Sequence, residues 1–212
     1  MSATLSHIEE FTSALETHGP RYGVELSAQA VARLRLYYEQ VMAWNDRLHL
    51  VAPCSPTEFA TRHVLESLLA LAHLPPMARV ADVGSGAGLP IIPCLILRPD
   101  VRATLIEASA KKAIFLREAL RLLDERGQAT VHNQRFETTE VMEVDFVTCR
   151  ALDRFTQMFP KLLAWSPRAA TLLLFGGPSI REELENLSLN YTTVHIPRSE
   201  QRFLFVVSRA DT

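Results

Sequence analysis

The stretch Val80-Ala81-Asp82-Val83-Gly84-Ser85-Gly86-Ala87-Gly88-Leu89-Pro90 decides the fold of this 212-residue chain. It follows a predicted strand, contains three alternating glycines and opens a predicted helix. Glycine lets the backbone turn sharply and approach a ligand with no Cβ in the way. Free N–H groups at the start of the following helix favour a carboxylate or a phosphate. The stretch therefore predicts a strand-turn-helix unit that binds a nucleotide-like ligand.

The spacing of the glycines distinguishes two classes of cofactor. The dinucleotide pattern requires its third glycine at the sixth position, which Leu89 occupies. The spacing Asp-x-Gly-x-Gly-x-Gly, beginning at Asp82, is instead similar to the motif that binds S-adenosylmethionine. The next predicted strand ends in Glu107, where a carboxylate can accept both ribose hydroxyls. These features indicate S-adenosylmethionine; the alternative is a structural turn and a surface glutamate.

Short apolar strands alternate with helices after residue 76, which predicts an α/β fold with a mostly parallel sheet covered on both faces. The predicted strands are Arg79–Val83, Ala103–Glu107, Ala129–His132, Phe146–Cys149, Thr171–Phe175, Thr192–Ile196 and Phe203–Val207. The helices between them include Lys112–Glu125, Phe155–Ala164 and Ser179–Leu187. Only Pro197 to Arg202 separate the last two strands, so we expect an antiparallel hairpin. A seven-stranded, Rossmann-like sheet that ends in this way is typical of class I S-adenosylmethionine-dependent methyltransferases.

The first part of the chain is predicted to be a helical extension. Ser27 is a suitable N-cap for one helix, and Ser55-Pro56-Thr57-Glu58 is a good start for a second. The pair Pro75-Pro76 is the clearest internal boundary. We therefore expect a helical extension over residues 1–75 and a cofactor-binding domain over 76–212.

The composition limits the classes of function. A net charge of −2 and a pI near 6.4 argue against a broad basic footprint for nucleic acid, although a local patch would suffice. No apolar run is long enough to cross a bilayer and no secretory signal is visible, so we expect a cytoplasmic protein without membrane contact. The three cysteines have no zinc-binding spacing, so no metal is expected.

Several motifs, in order along the chain, resemble the bacterial 16S rRNA guanine-N7 methyltransferase family RsmG, also called GidB. The glycine stretch continues to Leu89-Pro90 and a further proline, Pro93, as the loop of that family does. The other matching segments are Trp44-Asn45, Arg62-His63-x-x-Glu66-Ser67, Arg98-Pro99, Leu105–Ser109, Lys111-Lys112 with Phe115-Leu116-Arg117, Arg135-Phe136-Glu137 and Cys149-Arg150-Ala151. The resemblance runs from about Tyr38 to the C-terminal hairpin.

The chain departs from the family pattern at four positions. Glu66 replaces the usual Asp, and His49 and Val51 stand where the family typically has Asn and Thr. Phe175 stands where a lysine precedes a glycine in the family.

The resemblance implies methyl transfer from S-adenosylmethionine to N7 of a guanine in the 530-loop region of 16S rRNA, in the small ribosomal subunit. Guanine N7 has a lone pair and no proton, so we expect catalysis by proximity and orientation and name no catalytic residue. Glu107 would take the ribose, Phe136 and Glu137 would flank the adenine, and the Arg150 guanidinium would pair with a carboxylate at the methionine end. The expected cofactor-binding residues are Asp82, Gly84, Ser85, Gly86, Gly88, Leu89, Glu107, Arg135, Phe136, Glu137 and Arg150.

Contacts to RNA are expected from a basic rim. Its candidate members are Arg62, His63, Lys111, Lys112, Arg117, Arg150 and Arg154. For the helical lysines and arginines the alternative is an ordinary solvated face, and for His63 it is a hydrogen bond to Glu66 that fixes a helix cap. Trp44, Tyr37 and Tyr38 could stack on bases, or could pack inside the protein.

Three other functions remain open from the sequence. The acidic pI and Phe175 favour a methyltransferase for a small molecule. A non-catalytic module that binds S-adenosylmethionine or RNA is a second alternative, and a nicotinamide-dependent oxidoreductase is a third. We expect a monomer.

Overall fold

The computed structural model describes residues 6–123, 127–140, 143–150 and 155–209. Within these residues, seven strands form one sheet in the order β3-β2-β1-β4-β5-β7-β6. The strands are β1 (Arg79–Val83), β2 (Arg102–Ile106), β3 (Ala129–His132), β4 (Phe146–Arg150), β5 (Thr171–Gly176), β6 (Tyr191–His195) and β7 (Phe203–Val207). Strands β1 to β5 are parallel, whereas β7 pairs antiparallel with both β5 and β6. The predicted hairpin and the predicted sheet are confirmed.

Helices cover the sheet. The helices that follow the first strand are α5 (Ile91–Leu97), α6 (Ala110–Leu122), α7 (Phe155–Trp165) and α8 (Pro178–Asn186). The predicted helix over 112–125 begins two residues earlier, because the Ser109 hydroxyl accepts from the N–H of Lys112 and caps the first turn. The predicted end of that helix, at Glu125, lies outside the described residues.

The N-terminal part is helical, as predicted. It consists of α1 (His7–His18), α2 (Ala28–Leu48) and a helix over residues 56–68 made of α3 (Pro56–Glu58), a π-helical segment (Phe59–Leu65) and α4 (Glu66–Leu68). A 3₁₀ segment (Leu69–His73) leads to the double proline. Ser27 and Ser55 cap their helices through their hydroxyls, as the sequence predicted.

The N-terminal helices and the sheet share a core. A continuous cluster of buried side chains runs from Phe11 in α1 through Val41 and Leu65 to Leu105 in β2 and Leu173 in β5. Among the described residues, no helix combines the length and the apolar composition needed to cross a bilayer. The helix over 56–68 lies next to the carboxyl ends of β1 and β4, because Arg150 donates to the carbonyl oxygen of Arg62 and because His63 and Gly84 line one cavity.

Candidate active site

The glycine loop between β1 and α5 requires glycine at several positions. Gly84, Gly86 and Gly88 have positive φ values of 70°, 54° and 87°, a region that side chains with a Cβ rarely adopt. A Cβ on Gly88 would collide with the side chain of Ile92. A Cβ on Gly86 would meet only the carbonyl oxygen of Gly84, at 3.7 Å. Gly88 is therefore needed for packing, whereas Gly86 faces open space.

Glu107 lies at the end of β2 and is held by the glycine loop. Its Oε2 accepts from the N–H of Gly86 at 2.9 Å, and its Oε1 accepts from the N–H of Ser109 at 2.7 Å. The side chain of Asn133 donates to the carbonyl oxygen of Glu107 at 3.0 Å. Each carboxylate oxygen keeps a second lone pair, so the residue can still accept hydrogen bonds from a ligand.

Asp82 is buried beneath the loop. Its Oδ1 accepts from the Thr148 hydroxyl at 2.7 Å, and the Ser85 hydroxyl donates to its carbonyl oxygen at 2.9 Å. No described residue hydrogen bonds with Oδ2. Burial raises the pKa of Asp82 to about 7, against the effect of the Thr148 hydrogen bond, and the nearby Glu107 raises it further. A cationic ligand bound above the loop would favour the ionised form of this buried group.

Two cavities meet at the loop, because Gly84 and Glu107 line both. The Phe136 cavity has a volume of about 330 Å³ and is lined also by Val83, Ile106, Ala108, Gln134, Arg135, Phe136, Glu137 and Met158. The Arg150 cavity has a volume of about 410 Å³ and is lined also by Leu50, Val51, Ala52, His63, Ser85, Gly86, Ala87, Leu89, Lys112 and Arg150. The two cavities together form an elongated site along the carboxyl ends of β1, β2 and β4.

Most of the sequence-predicted cofactor residues come together around these cavities. Arg135 and Glu137 are exposed at the rim of the Phe136 cavity, whereas Phe136 is buried with its ring 5.7 Å from that of Trp165. Met158, in α7, also lines this cavity, although no sequence motif indicated it. Gly88 and Asp82 lie outside both sets of lining residues, and Gly88 acts on the shape of the loop.

Arg150, at the end of β4, is oriented differently from the sequence expectation. Its Nη2 donates to the carbonyl oxygen of Arg62 at 2.7 Å, and its Nη1 lies 3.4 Å from the carbonyl oxygen of His63 and from the Ser67 hydroxyl. The guanidinium also lies 6.0 Å from the centre of the Phe175 ring. Arg150 thus lines the cavity but directs its donors towards the helix over 56–68, because that helix offers several acceptors.

Glu66 joins this helix to two strands. Its Oε2 lies 3.4 Å from Arg150 Nη2, and its Oε1 lies 2.6 Å from Nη1 of Arg202, next to β7. Burial raises the pKa of Glu66, while Arg150 and Arg202 oppose that effect. Burial also lowers the pKa of the Arg150 guanidinium. The glutamate at this family position, longer than aspartate, reaches both arginines.

His63 does not belong to a positively charged rim. Burial, with Arg150 and Arg62 nearby, lowers the pKa of its imidazole to about 3, so the ring is neutral at physiological pH. The alternative role as a helix cap bonded to Glu66 is also wrong, because its Nδ1 faces Arg150 Nη2 at 3.4 Å and Ser55 supplies the cap.

The N-terminal helices support the loop from the other side. The hydroxyl of Tyr37, fully buried in α2, donates to the carbonyl oxygen of Ala87 at 2.8 Å. The side chain of Asn45 forms two hydrogen bonds with the backbone of Val51, at 2.9 and 3.1 Å, and so fixes a wall of the Arg150 cavity. Tyr37 is therefore a core residue that positions the loop.

The other aromatic candidates for base stacking also pack inside the protein. Tyr38 is buried and stacks on Phe11 at 4.4 Å, and Trp44 packs edge-on against Phe115 at 6.0 Å. The hypothesis that these rings stack on bases is therefore wrong for Tyr38 and Tyr37, whose rings lie in the core.

The basic candidates lie in different environments. Lys111 is exposed on α6, and Lys112 reaches the wall of the Arg150 cavity. Arg62 is exposed and bridges to Glu58 at 2.8 Å. Arg117 donates to the carbonyl oxygen of Val131 at 3.2 Å. Arg154 lies outside the described residues.

The residues present fit S-adenosylmethionine. Glu107 has free acceptor capacity for ribose hydroxyls, and Asp82 has a buried oxygen without a partner among the described residues, next to the loop. In the Phe136 cavity, the ring of Phe136 and the side chain of Met158 offer apolar surfaces for a flat base. No group of three or more potential metal ligands occurs in the part of the chain that the structure describes.

Comparisons with known proteins identify the family. The model of the family GidB, described as rRNA small subunit methyltransferase G, matches residues 30–208. A protein named ribosomal RNA small subunit methyltransferase G from Xanthomonas axonopodis pv. citri (strain 306) is 37% identical over 191 residues, which cover 87% of this chain and 89% of that protein. The protein of the same name from Sorangium cellulosum (strain So ce56) is 36% identical over 172 residues, covering 78% of this chain and 72% of that protein.

A solved structure supports the fold alone. A ribosomal protein L11 methylase from Lactobacillus delbrueckii subsp. bulgaricus aligns with a TM-score of 0.57 at 16% identity, covering 71% of this chain and 79% of that chain. The extent of the family match, together with relatives above 30% identity over most of their length, decides the assignment. This chain belongs to the GidB family, rRNA small subunit methyltransferase G, and is an S-adenosylmethionine-dependent methyltransferase.

Proposed function

We propose that this chain methylates N7 of a guanine in the 16S rRNA of the small ribosomal subunit. The observation that carries the proposal is the Arg150 cavity, which adjoins the glycine loop on the side away from the Phe136 cavity. A base that has left its stack would enter this cavity, whose volume is about 410 Å³. The family match and the names of the relatives support rRNA as the source of that base.

The cofactor would lie across the two cavities, with its adenosine in the Phe136 cavity and its methionine end beside the glycine loop in the Arg150 cavity. Glu107 would accept hydrogen bonds from the ribose, Phe136 and Met158 would pack on the adenine, and Asp82 would supply negative charge beneath the loop. When bound there, S-adenosylmethionine supplies an electrophilic methyl group on a cationic sulfonium. The remaining candidates for cofactor contact are Ser85, Gly86, Leu89 and Arg135.

The reaction requires orientation rather than proton removal. Guanine N7 presents a lone pair and carries no proton in the neutral base. The walls formed by Leu50, Val51 and Leu89 would exclude water and restrict the base to one orientation. The reaction therefore requires no acid/base pair, and we name none among the described residues.

Basic side chains around the cavity would contact the RNA backbone. Lys112 on the cavity wall and Lys111, Arg62 and Arg117 on the exposed surface are the described candidates, and they are fewer than the sequence suggested. We propose that the protein acts as a monomer, in the bacterial cytoplasm where ribosomal subunits are assembled.

The test is transfer to small subunits purified from a strain that lacks the gene. We expect one equivalent of methyl group to enter 16S rRNA, and reverse-transcription mapping to place one new 7-methylguanine there. Subunits from the parent strain, already methylated, should accept none. Transfer to a metabolite extract without transfer to the subunits would refute the rRNA substrate and favour a small-molecule methyltransferase.

A further inference from the structure

The Arg150 cavity contains one neutral imidazole among charged neighbours. We propose that His63 donates a hydrogen bond from Nε2 to O6 of the target guanine and so selects guanine over adenine. The inference rests on the proposed function, because it names the group that recognises the base in the same cavity.

The tautomer of His63 follows from its neighbour. Arg150 Nη2 lies 3.4 Å from His63 Nδ1 in hydrogen-bonding geometry. A guanidinium has only donors, so a hydrogen bond across this contact makes Nδ1 the acceptor. A neutral imidazole carries one N–H, which must therefore be on Nε2.

The ring is held in place, and Nε2 has no partner among the described residues. The ring of Phe59 packs against it with a centroid distance of 5.3 Å. The backbone of His63 is fixed as well, because its carbonyl oxygen accepts from the Ser67 hydroxyl at 2.6 Å. His63 lines the Arg150 cavity together with Gly84 and Leu89. An Nε2–H on this wall would reach a base beside the glycine loop.

The neutral state of His63 suits the charge that develops on the base. Methylation at N7 makes the guanine ring cationic, so a cationic donor at O6 would oppose the reaction. Arg150, Arg62 and Arg202 keep the imidazole neutral by lowering its pKa to about 3, after the larger effect of burial. The carboxylates that face these arginines are already paired, Glu66 with Arg150 and Arg202 and Glu58 with Arg62.

The other donors around the cavity are less suitable for O6. Arg150 is engaged with acceptors of the helix over 56–68, and Lys112 would bring a positive charge. At the edge that carries N7, guanine presents an acceptor at position 6, whereas adenine presents an amino donor. The Nε2–H of His63 would thus bond with guanine and oppose adenine, and a site with a fixed donor discriminates strongly between such bases.

The proposal is tested by a cycle that changes the side chain and the base atom separately. The side-chain change is His63→Phe, which keeps a ring against Phe59 and removes both nitrogens. The base change is 6-thioguanine at the mapped position of small subunits reconstituted from synthetic 16S rRNA, which keeps N7 and weakens the acceptor at position 6. We expect either change alone to lower kcat/KM for methyl transfer by about 10- to 100-fold. The two measurements are His63→Phe protein on unmodified rRNA and wild-type protein on the thio substrate.

The result that supports the proposal is non-additivity of the two changes. For His63→Phe protein, kcat/KM on the thio substrate should be less than about threefold below its value on unmodified rRNA. His63→Gln, whose amide can accept from Arg150 and still donate, should recover most of the activity and of the sensitivity to the base change. Additive losses would overturn the proposal, and they would do so without affecting the proposed function if wild-type protein methylates guanine N7. Failure of wild-type protein to methylate any subunit would instead refute the proposed function.

A readout other than activity checks the tautomer. The ¹⁵N shifts of the His63 ring in protein alone should show a protonated Nε2 and an unprotonated Nδ1, unchanged from pH 5 to pH 8. A ring that gains a proton in this range, or that is protonated on Nδ1, would contradict the proposal. The matched control for the variant is His195→Phe, because His195 also contacts a phenylalanine, Phe203 at 5.4 Å, but lines neither cavity.

Discussion

Replacing Glu66 by glutamine tests whether its ion pairs hold the N-terminal helices on the sheet. Only 3% of the Glu66 side chain is exposed, against 14% for Arg150 and 30% for Arg202. Glutamine keeps the shape but leaves two guanidinium groups without a counter-charge, and removing one partner of a buried ion pair costs about 3–5 kcal/mol. Because water reaches Arg202, we expect the lower end, about 3 kcal/mol, and a fall in Tm of about 6–12 °C.

Urea unfolding followed by circular dichroism measures this loss. The matched control is Glu58→Gln, which breaks the exposed bridge to Arg62 at 2.8 Å and should cost less than about 1 kcal/mol. Glu66→Asp keeps the charge on a shorter side chain and should lie between the wild-type protein and Glu66→Gln. If Glu66→Gln unfolds within about 0.5 kcal/mol of Glu58→Gln, the ion pairs do not stabilise the packing and the reasoning fails.

The remaining predictions concern the cofactor site. Gly86→Val should abolish binding of S-adenosylmethionine in calorimetry, because the branched side chain would occupy open space of the cavity beside the loop, and retained binding would refute the loop assignment. Gly86→Ala and Gly88→Ala both place a Cβ at a positive φ, but only the Cβ at position 88 collides with a neighbouring side chain, so Gly88→Ala should lose more stability; equal losses would contradict the distinction. Tyr37→Phe leaves the Ala87 carbonyl oxygen without its donor and should cost about 1–3 kcal/mol of unfolding free energy, and a neutral result would show that the hydroxyl does not support the loop. Asp82 has a pKa of about 7 in the folded protein, above its usual 3.8, so folding favours its protonated form and stability is lost as the pH rises through 7. Between pH 5 and pH 8 the wild-type protein should lose about 2–3 kcal/mol more than Asp82→Asn in urea unfolding, and parallel pH profiles would refute the assignment.

Features encoded by local sequence could be predicted. The apolar runs that form β1 and β4 alternate with helices, and the period and length of such runs identify strands without knowledge of their partners. The glycine spacing places Gly84 and Glu107 at one edge of the sheet, because the carboxyl ends of neighbouring parallel strands meet there. Capping residues such as Ser27 act over three positions and are equally visible.

Contacts between distant segments could not be predicted from the same sequence. Glu66 and Arg202 are 136 positions apart, and nothing local to either residue indicates the other. The neutral state of His63 depends on burial and on the charge of Arg150 in β4. Residue type alone does not show either effect, and it therefore suggests a positively charged histidine. The π-helical segment over Phe59–Leu65 has a residue pattern close to that of an α-helix, so its sequence does not distinguish the two.

The double proline marks a change in topology along the chain, but it does not mark a boundary between two cores. Pro75-Pro76 ends the helical part of the chain, and we propose the division into residues 1–75 and 76–212 as a division of topology. It does not separate two cores, since Phe11 and Leu65 belong to the same buried cluster as Leu105. The helix over 56–68 also supplies His63 and the acceptors that hold Arg150. The extension is therefore a wall of the active site, and changes in its sequence should alter the choice of substrate before they alter the binding of the cofactor.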